Sequence, residues 1–173
     1  MVGDLLDSRK RFVEAIDLYR SIEPESLYRW TAQLRIADNL NELENLDGAV
    51  RLLRIMADEQ SDRPEPLIKL GNLLRYNHRF HDAIRAYDRA FDRIDTIKKS
   101  DWSLYYNLGI ALERTKQWAR AEDNFLKALE LEPDQPFVLN YLGYSWVEQG
   151  RNLGRARKMI EKAVSQRRED GYI

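Results

Sequence analysis

The chain has 173 residues, of which 28 are Lys or Arg and 29 are Asp or Glu, so its formal net charge is −1. A nearly neutral chain has no strong overall field to attract nucleic acid or an anionic lipid surface, and we expect neither as a partner. It contains no cysteine, which excludes disulfides, thiolate nucleophiles and thiolate metal sites. No apolar run approaches the ~18 residues of a membrane-spanning helix, so no span is predicted.

Two series of small residues recur along the sequence at nearly constant spacing. The members of the first are separated by 34, 34, 38 and 34 residues: Gly3, Ala37, Gly71, Gly109 and Gly143. The members of the second are separated by 34, 34, 38 and 35 residues: Ala15, Ala49, Ala83, Ala121 and Ala156. A period near 34 is typical of stacked helical hairpins. It predicts a single all-α array over 1–173, with a partial unit 1–24 and units 25–63, 64–100, 101–134 and 135–173.

In each unit the apolar side chains recur at three- and four-residue steps on two successive helices. The longer spacing before the fourth unit places four extra residues within 91–100. Because Ile94 and Ile97 continue the apolar stripe, we predict that the second helix of the third unit runs about one turn long. In the last unit, the segment from Asn152 to Gly154 is predicted to add one residue to the turn between the two helices.

The fourth unit carries the clearest family signature. Its Leu108-Gly109, Ala121, Phe125 and Pro133, together with Ala128, resemble the tetratricopeptide repeat (TPR) family. Gly109 and Ala121 are predicted to lie together where the two helix axes cross. The resemblance implies a right-handed superhelical solenoid of antiparallel helix hairpins. It also implies a non-enzymatic protein–protein interaction scaffold that needs no cofactor.

In such a superhelix the first helix of each unit lines the concave side. Side chains on these helices that hairpin packing does not use are predicted to form a groove for a peptide or partner helix. The candidates are Leu34, Asp38, Ile68, Asn72, Arg75, Tyr76, Tyr106, Asn107, Ile110, Glu113, Arg114, Phe137, Asn140, Tyr144 and Glu148. For Leu34, Ile68 and Ile110, burial between neighbouring hairpins is an equal alternative. Tyr76, Tyr106 and Tyr144 are expected to be exposed, since a phenol favours a polar contact.

The resemblance also allows one family function to be tested. Chaperone-binding TPR domains hold the carboxylates of a peptide with Lys, Asn and Arg side chains on successive first helices. Asn72 and Asn107 match two of these positions. Ile68, Phe137 and Tyr141 stand where the cations are expected, so a dicarboxylate clamp is not predicted.

Motifs for catalysis or metal binding are weak. His78 and His81 lie three residues apart in the turn of the third unit, with Asp82 beside them. A specific metal site needs three or four convergent ligands, so we expect solvated turn residues. The sequence contains no nucleophile elbow, phosphate-binding loop or HExxH motif. It therefore predicts no enzyme, no metal and no cofactor.

The two ends favour a segment of a longer array. Solenoids normally end in a capping helix with a polar outer face, whereas Ile160, Ala163 and Val164 of the last helix are expected to lack a cover. The run from Tyr141 to Leu153 is similar to long alphaproteobacterial TPR proteins, while a short native protein is the alternative. Uncapped terminal hairpins also suggest a possible homodimer.

The compartment and the exact role stay open at this stage. The compartment is unknown: cytoplasmic on this chain alone, and periplasmic or outer-membrane-associated if the parent carries an export signal. Besides a protein or peptide receptor, two other roles are considered. One is a structural or oligomerisation segment of a larger TPR protein. The other, less favoured, is a binder of nucleic acid or lipid head groups through Arg155, Arg157 and Arg168.

Overall fold

The computed structural model describes residues 2–169, and every regular element within that range is a helix. Ten α-helices occur in these residues, with a 3₁₀ turn, Lys99–Asp101, before the seventh. They are α1 Val2–Ser8, α2 Phe12–Arg20, α3 Arg29–Glu42, α4 Leu46–Glu59, α5 Glu65–Tyr76, α6 Phe80–Phe91, α7 Trp102–Arg114, α8 Trp118–Leu131, α9 Pro136–Glu148 and α10 Leu153–Glu169. The predicted all-α class is confirmed.

The helices follow one another as five pairs. Three residues separate the two helices in each of the first four pairs, and four residues, 149–152, separate them in the last. The predicted extra residue in the last turn is therefore confirmed. Such short connections leave the second helix antiparallel to the first. The pairs fall within the predicted unit ranges, while their grouping into one array over 1–173 stays a prediction.

The chain forms two compact units. The first comprises Met1–His78 and Arg85–Ile94, and the second comprises Arg79–Ile84 and Asp95–Ile173. Helices α1 to α5 thus belong to the first unit, and α7 to α10 belong to the second.

Each turn within a helix pair uses a residue in the left-handed backbone region just after the first helix. These residues, with φ between 58° and 65°, are Lys10, Glu44, His78, Lys116 and Gly150. At the fourth turn the Lys116 N–H donates to the Glu113 carbonyl at 2.8 Å, and the Gln117 N–H donates to the Leu112 carbonyl at 2.9 Å. This hydrogen-bond pair is the Schellman motif, which satisfies the last carbonyls of the helix. Only the fifth turn uses glycine, the residue for which a positive φ costs least.

A glycine of the first helix lies against a large side chain of the second helix in four of the hairpins. A Cβ atom at Gly71 would lie 2.4 Å from the Tyr87 ring, and one at Gly109 would lie 2.6 Å from the Phe125 ring. Gly3 has the same relation to Tyr19, with 2.5 Å. Real Cβ contacts are longer than this, so only glycine allows the ring to approach the helix backbone. Gly3, Gly71 and Gly109 in the sequence therefore mark ring contacts inside three of the hairpins.

The residue nearest to the missing Cβ of Gly109 is Phe125. The predicted approach of Gly109 and Ala121 where the helix axes cross stays a prediction. In the last hairpin the turn is one residue longer, and the residue that faces the glycine lies one residue further along the chain. There Gly143 faces Ile160 Cγ1 at 2.7 Å and the Ala156 carbonyl oxygen at 3.1 Å. An alanine of the second series thus approaches the glycine backbone in that hairpin.

The prediction of a lengthened second helix in the third pair was wrong. Helix α6 ends at Phe91, and residues 92–98 form turns and bends before the 3₁₀ turn. After the Asp92 N–H, which still donates to the carbonyl four residues earlier, the Arg93 and Ile94 N–H groups donate only three residues back. Asp and β-branched residues in this stretch have low helix propensity. Four extra residues match one helical turn in number, and here they form a loop instead.

Candidate functional site

The candidate residues of the first unit lie on α3 and α5, and we call this set the α3–α5 face. Its members are Leu34, Asp38, Ile68, Asn72, Arg75 and Tyr76. Tyr76 is 73% exposed, which agrees with its expected exposure. The other members are half-buried, so for Leu34 and Ile68 part of the side chain packs inside the unit.

Asp38 is held by a lysine that the sequence did not single out. The Lys69 Nζ lies 2.6 and 2.7 Å from the two carboxylate oxygens of Asp38. Lys69 lies on α5 and Asp38 on α3, so the pair bridges the first helices of successive hairpins. The only signal in the sequence was an opposite charge 31 residues away, close to one repeat. The negative charge of Asp38 is thus already balanced inside the unit.

Asn72 supports a buried tyrosine. The Tyr87 hydroxyl donates to Asn72 Oδ1 at 2.8 Å. Burial raises the pKa of Tyr87 to about 12, and the positive charge of Arg75 opposes this rise. Asn72 therefore has an internal structural role as a hydrogen-bond acceptor for the ring beside Gly71.

In other hairpins, the residue that follows the glycine differs according to the aromatic side chain that the second helix supplies. Tyr19 donates its hydroxyl to Asp7 at 2.7 Å and to Asp4 at 3.1 Å, and burial raises the pKa of Tyr19, with Asp7 adding to the rise. Asp4 follows Gly3 as Asn72 follows Gly71. Where the ring is Phe125, which has no hydroxyl, the position is Ile110, and Ile110 is only 7% exposed. Ile110 is thus a core residue and contributes no open surface.

The candidates of the second unit lie on α7 and α9, and several of them surround one cavity of about 260 Å³. We call it the α7–α9 cavity. Its lining residues are Glu113, Arg114, Asn140, Tyr141, Tyr144, Ser145 and Glu148. Five of these seven were sequence candidates. Tyr141 and Ser145 were missed as candidates, although they lie one turn apart on the same helix, which is the signal that could have found them.

Tyr106 does not have its expected exposure. It is half-buried, and its ring lies 6.1 Å from Trp102, 6.2 Å from Phe125 and 5.9 Å from Tyr141, measured between centroids. The Tyr106–Tyr141 pair is edge-to-face, a favourable arrangement for two aromatic rings. Tyr106 is therefore a packing residue behind the cavity. Asn107, the next residue on α7, is also half-buried.

Glu113 is the most unusual group of the cavity. Its side chain is 13% exposed, and its Oε2 atom is buried without a hydrogen bond. The nearest cation, Arg114, places its Nε 3.6 Å from this oxygen, which is longer than a normal hydrogen bond. Burial raises the pKa of Glu113, the nearby charge of Arg114 lowers it, the negative charge of Glu148 raises it, and a hydrogen bond with the Tyr141 side chain lowers it.

The exposed face of α9 completes the surface around the cavity. Phe137 is 51% exposed and Tyr144 is 54% exposed, and Val147 is exposed on the same helix. Positions 137, 144 and 147 fall on one side of a helix because they are seven and three residues apart. The exposure expected for Tyr144 is confirmed. Aromatic and apolar side chains thus flank a polar cavity on one face of the second unit.

The basic residues of α10 are largely paired with neighbours. The Arg155 guanidinium lies 5.1 Å from the centre of the Trp146 ring, and Arg157 Nε donates to Glu161 at 2.7 Å. Lys162 also forms an ion pair with Asp134. The side chains of Arg167 and Arg168 lie outside those that the structure describes. These pairings reduce the charge available for a phosphate-binding patch.

Two further observations concern motifs and membranes. Among residues 2–169, no three His, Cys, Asp or Glu side chains gather in a way that could hold a metal ion. His81 is exposed on α6, and His78 is exposed at the turn before it. Over the same residues, the helices are all too short or too polar to cross a bilayer.

Comparison with known proteins supports the family. Residues 68–136 match the family model described as tetratricopeptide repeat. A TPR repeat-containing protein of Pseudomonas aeruginosa is 27% identical over 173 residues, which make up 99% of this chain and 28% of that relative. The chain therefore spans little more than a quarter of that relative's length.

Solved structures share the fold at low sequence identity. A crystal structure of MamA is 17% identical with a TM-score of 0.78, covering 100% of this chain and 98% of that one. MamA from Desulfovibrio magneticus RS-1 is 16% identical with a TM-score of 0.79, covering 97% and 92%. The pilF protein of Pseudomonas aeruginosa is 21% identical with a TM-score of 0.80, covering 95% and 72%. At these identities the likeness shows the fold alone.

The helix pairs, the ring-against-glycine contacts and the comparisons agree with one another. They confirm a helical solenoid built from hairpins, a fold that in general serves as a protein–protein interaction scaffold. Residues 68–136 thus match the tetratricopeptide repeat family model, and the chain shares its fold with the solved MamA structure.

Proposed function

We propose that this chain is a non-enzymatic binding module that holds an extended peptide segment of a partner protein against α9 and the adjacent end of α7. One observation carries the proposal: α9 is apolar on both sides, yet only one side is covered. Leu142 and Trp146 are buried, whereas Phe137 and Tyr144 are exposed. A helix that is apolar all round is normally covered all round, and an exposed apolar face rimmed by polar groups favours a protein partner.

The chemistry of this face suits a peptide. Exposed aromatic rings supply large contact area at a small cost in side-chain entropy and are frequent binding hot spots. The half-buried Asn140 lies between Phe137 and Tyr144 in the sequence of α9, and its amide can pair with the backbone of an extended chain. The cavity beside these residues adds depth, which a flat contact lacks.

The α3–α5 face is proposed as a smaller, separate contact surface. Tyr76 supplies an exposed ring. Asp38 and Asn72, by contrast, already accept hydrogen bonds from Lys69 and Tyr87. The open polar groups of this face are therefore fewer than those of the α7–α9 cavity.

Selection of short random peptides displayed on phage tests the proposal, because it requires no knowledge of the natural partner. Peptides that bind the wild-type chain should bind Phe137→Ala and Tyr144→Ala at least about tenfold more weakly, the loss of a modest hot spot. Tyr28→Ala is the matched control, since Tyr28 is also an exposed tyrosine but lies outside this face. Equal affinities for all three variants would rule out the α9 face as the binding surface.

Self-association is a second candidate function. Leu153 and Val164 of α10 are exposed, whereas Ala163 is buried within the second unit. Of the α10 side chains that were expected to lack a cover, Val164 is therefore exposed, whereas Ala163 is not. Light scattering over a wide dilution series tests this role: a mass near twice that of the chain, falling on dilution, supports a dimer. A monomer mass at every concentration excludes it.

A further inference from the structure

The α7–α9 cavity carries an excess of negative charge. Two carboxylates, Glu113 and Glu148, line it, against one guanidinium, Arg114. Arg114 is itself engaged, because its side chain hydrogen-bonds Tyr141. The formal balance of the lining is therefore one negative charge, and Tyr141 and Tyr144 also line the cavity.

The buried carboxylate oxygen of Glu113 indicates which group in the cavity a donor would contact. Glu113 lines the cavity, and its Oε2 atom is buried with no hydrogen-bond partner. Buried polar atoms are nearly always hydrogen-bonded, so such an atom calls for an explanation. Arg114 Nε, at 3.6 Å, is too distant to donate to it. A donor that enters the cavity from outside would supply the missing hydrogen bond.

A charged donor fits better than a neutral one. Glu113 and Glu148 repel each other, as the upward effect of Glu148 on the pKa of Glu113 shows. A cation between them removes this repulsion and forms charge-assisted hydrogen bonds, which are stronger than neutral ones. The exposed ring of Tyr144 at the cavity offers a face for a cation–π contact.

The size of the cavity fits a side chain. Its volume of about 260 Å³ equals the share of roughly nine water molecules in the liquid. This space suits the end of a long side chain but not a folded element. Tyr144 and Glu148 are exposed, so the cavity is reached from the same surface that α9 offers to a peptide.

We propose that the α7–α9 cavity binds the cationic side chain of a Lys or Arg residue in the peptide held by α9, with Glu113 and Glu148 as its carboxylate partners. The inference rests on the proposed function, since it names the residue class that the peptide presents. A dicarboxylate clamp holds peptide carboxylates with cationic side chains, whereas this cavity holds a peptide cation with carboxylates.

The experiment uses four pools of random peptides that are identical except for a fixed central residue. That residue is arginine, lysine, citrulline or acetyl-lysine, so each cation has a neutral analogue of nearly the same shape. We expect the arginine or lysine pool to bind the wild-type chain at least about tenfold more tightly than its neutral analogue, a typical effect of a charge-assisted contact. Comparing the two cationic pools shows which side chain is preferred.

Two variants test whether the preference for cationic peptides arises from the cavity. Glu113→Gln should reduce the preference for the cationic pools to less than about threefold, and Glu148→Gln should reduce it in part. Glu148 is exposed, so its variant preserves folding and keeps the test valid even if the variant at Glu113 is unstable. Glu122→Gln is the matched control, because Glu122 pairs with Arg151 away from the cavity.

The outcomes separate this inference from the proposed function. Equal binding of all pools, still weakened by Tyr144→Ala, overturns the cation site and leaves the peptide surface in place. An unchanged preference in Glu113→Gln and Glu148→Gln also overturns it. If none of the pools binds the wild-type chain above background, the proposed function fails, and the inference fails with it.

Discussion

Replacing Gly109 by alanine places a methyl carbon 2.6 Å from Cε1 of Phe125. Phe125 is fully buried and lies against Tyr106 and Tyr141, so its ring has no space into which it can move. Overpacking of this kind costs about 1–3 kcal/mol, and we expect the upper end. Alanine regains about 1 kcal/mol of helix propensity over glycine. The net loss in the free energy of unfolding should therefore be about 2 kcal/mol.

The second hairpin indicates which second substitution should offset the destabilisation by Gly109→Ala. There the corresponding positions are Ala37 and Leu53, both buried, so a methyl group is matched by a smaller partner. Phe125→Leu alone should cost about 1–2 kcal/mol because it leaves space beside Gly109. Combined with Gly109→Ala, it should cost at least about 1 kcal/mol less than the sum of the single changes, since contacting residues couple.

Urea unfolding followed by far-UV circular dichroism measures these free energies. Because repeat proteins need not unfold in one step, hydrogen exchange of the α7 and α8 amides should accompany it. Gly154→Ala is the control, since a Cβ at Gly154 meets nothing within 4 Å, and it should not destabilise the chain. Additive costs in the double variant, within about 0.5 kcal/mol, would refute the contact argument.

Three further predictions concern turns, ionisation and charge. Lys116→Gly should raise the free energy of unfolding by about 0.5–1 kcal/mol by relieving the left-handed backbone, and Gly150→Ala should lower it by about 1 kcal/mol, both measured by urea unfolding. The pKa of Tyr87 is about 12 in the folded chain and about 10 when unfolded. Its contribution to stability is therefore complete below pH ~10 and is lost as the pH rises toward ~12. Tyr87→Phe should flatten this alkaline loss, whereas the exposed Tyr76→Phe should not. Asp38→Asn should cost about 0.5–1 kcal/mol, and added salt should reduce the difference from wild type, because its ion pair with lysine is partly exposed.

Periodicity was sufficient to predict the helices but not the contacts between them. The repeat of small residues placed a glycine or alanine in the first helix of each hairpin, and the structure has helices there. It did not show that Gly109 faces Phe125, because the facing residue depends on the helix crossing and not on spacing along one chain. The loop at 92–98 was missed for a related reason: four residues equal one turn of helix in number.

Several candidate residues lie together in the structure, while their role in binding stays a prediction. Glu113, Arg114, Asn140 and Tyr144 line one cavity, because residues on adjacent first helices at matching positions come together. Asn72 was assigned to open surface, although it serves an internal hydroxyl group. Its role depends on whether the facing ring is tyrosine or phenylalanine, and such pairwise dependence is invisible in a single helix pattern.

The left-handed turns have a consequence for how hairpins of this kind can change in evolution. Hydrogen bonds of the backbone hold each reversal, so the residue at its tip is not required to be glycine. Lys10, Glu44, His78 and Lys116 occupy equivalent exposed tips with different charges. Substitutions there can change the charge of the hairpin edges during evolution while the fold is retained. The charge of these edges can thereby change independently of the contacts that fold each hairpin.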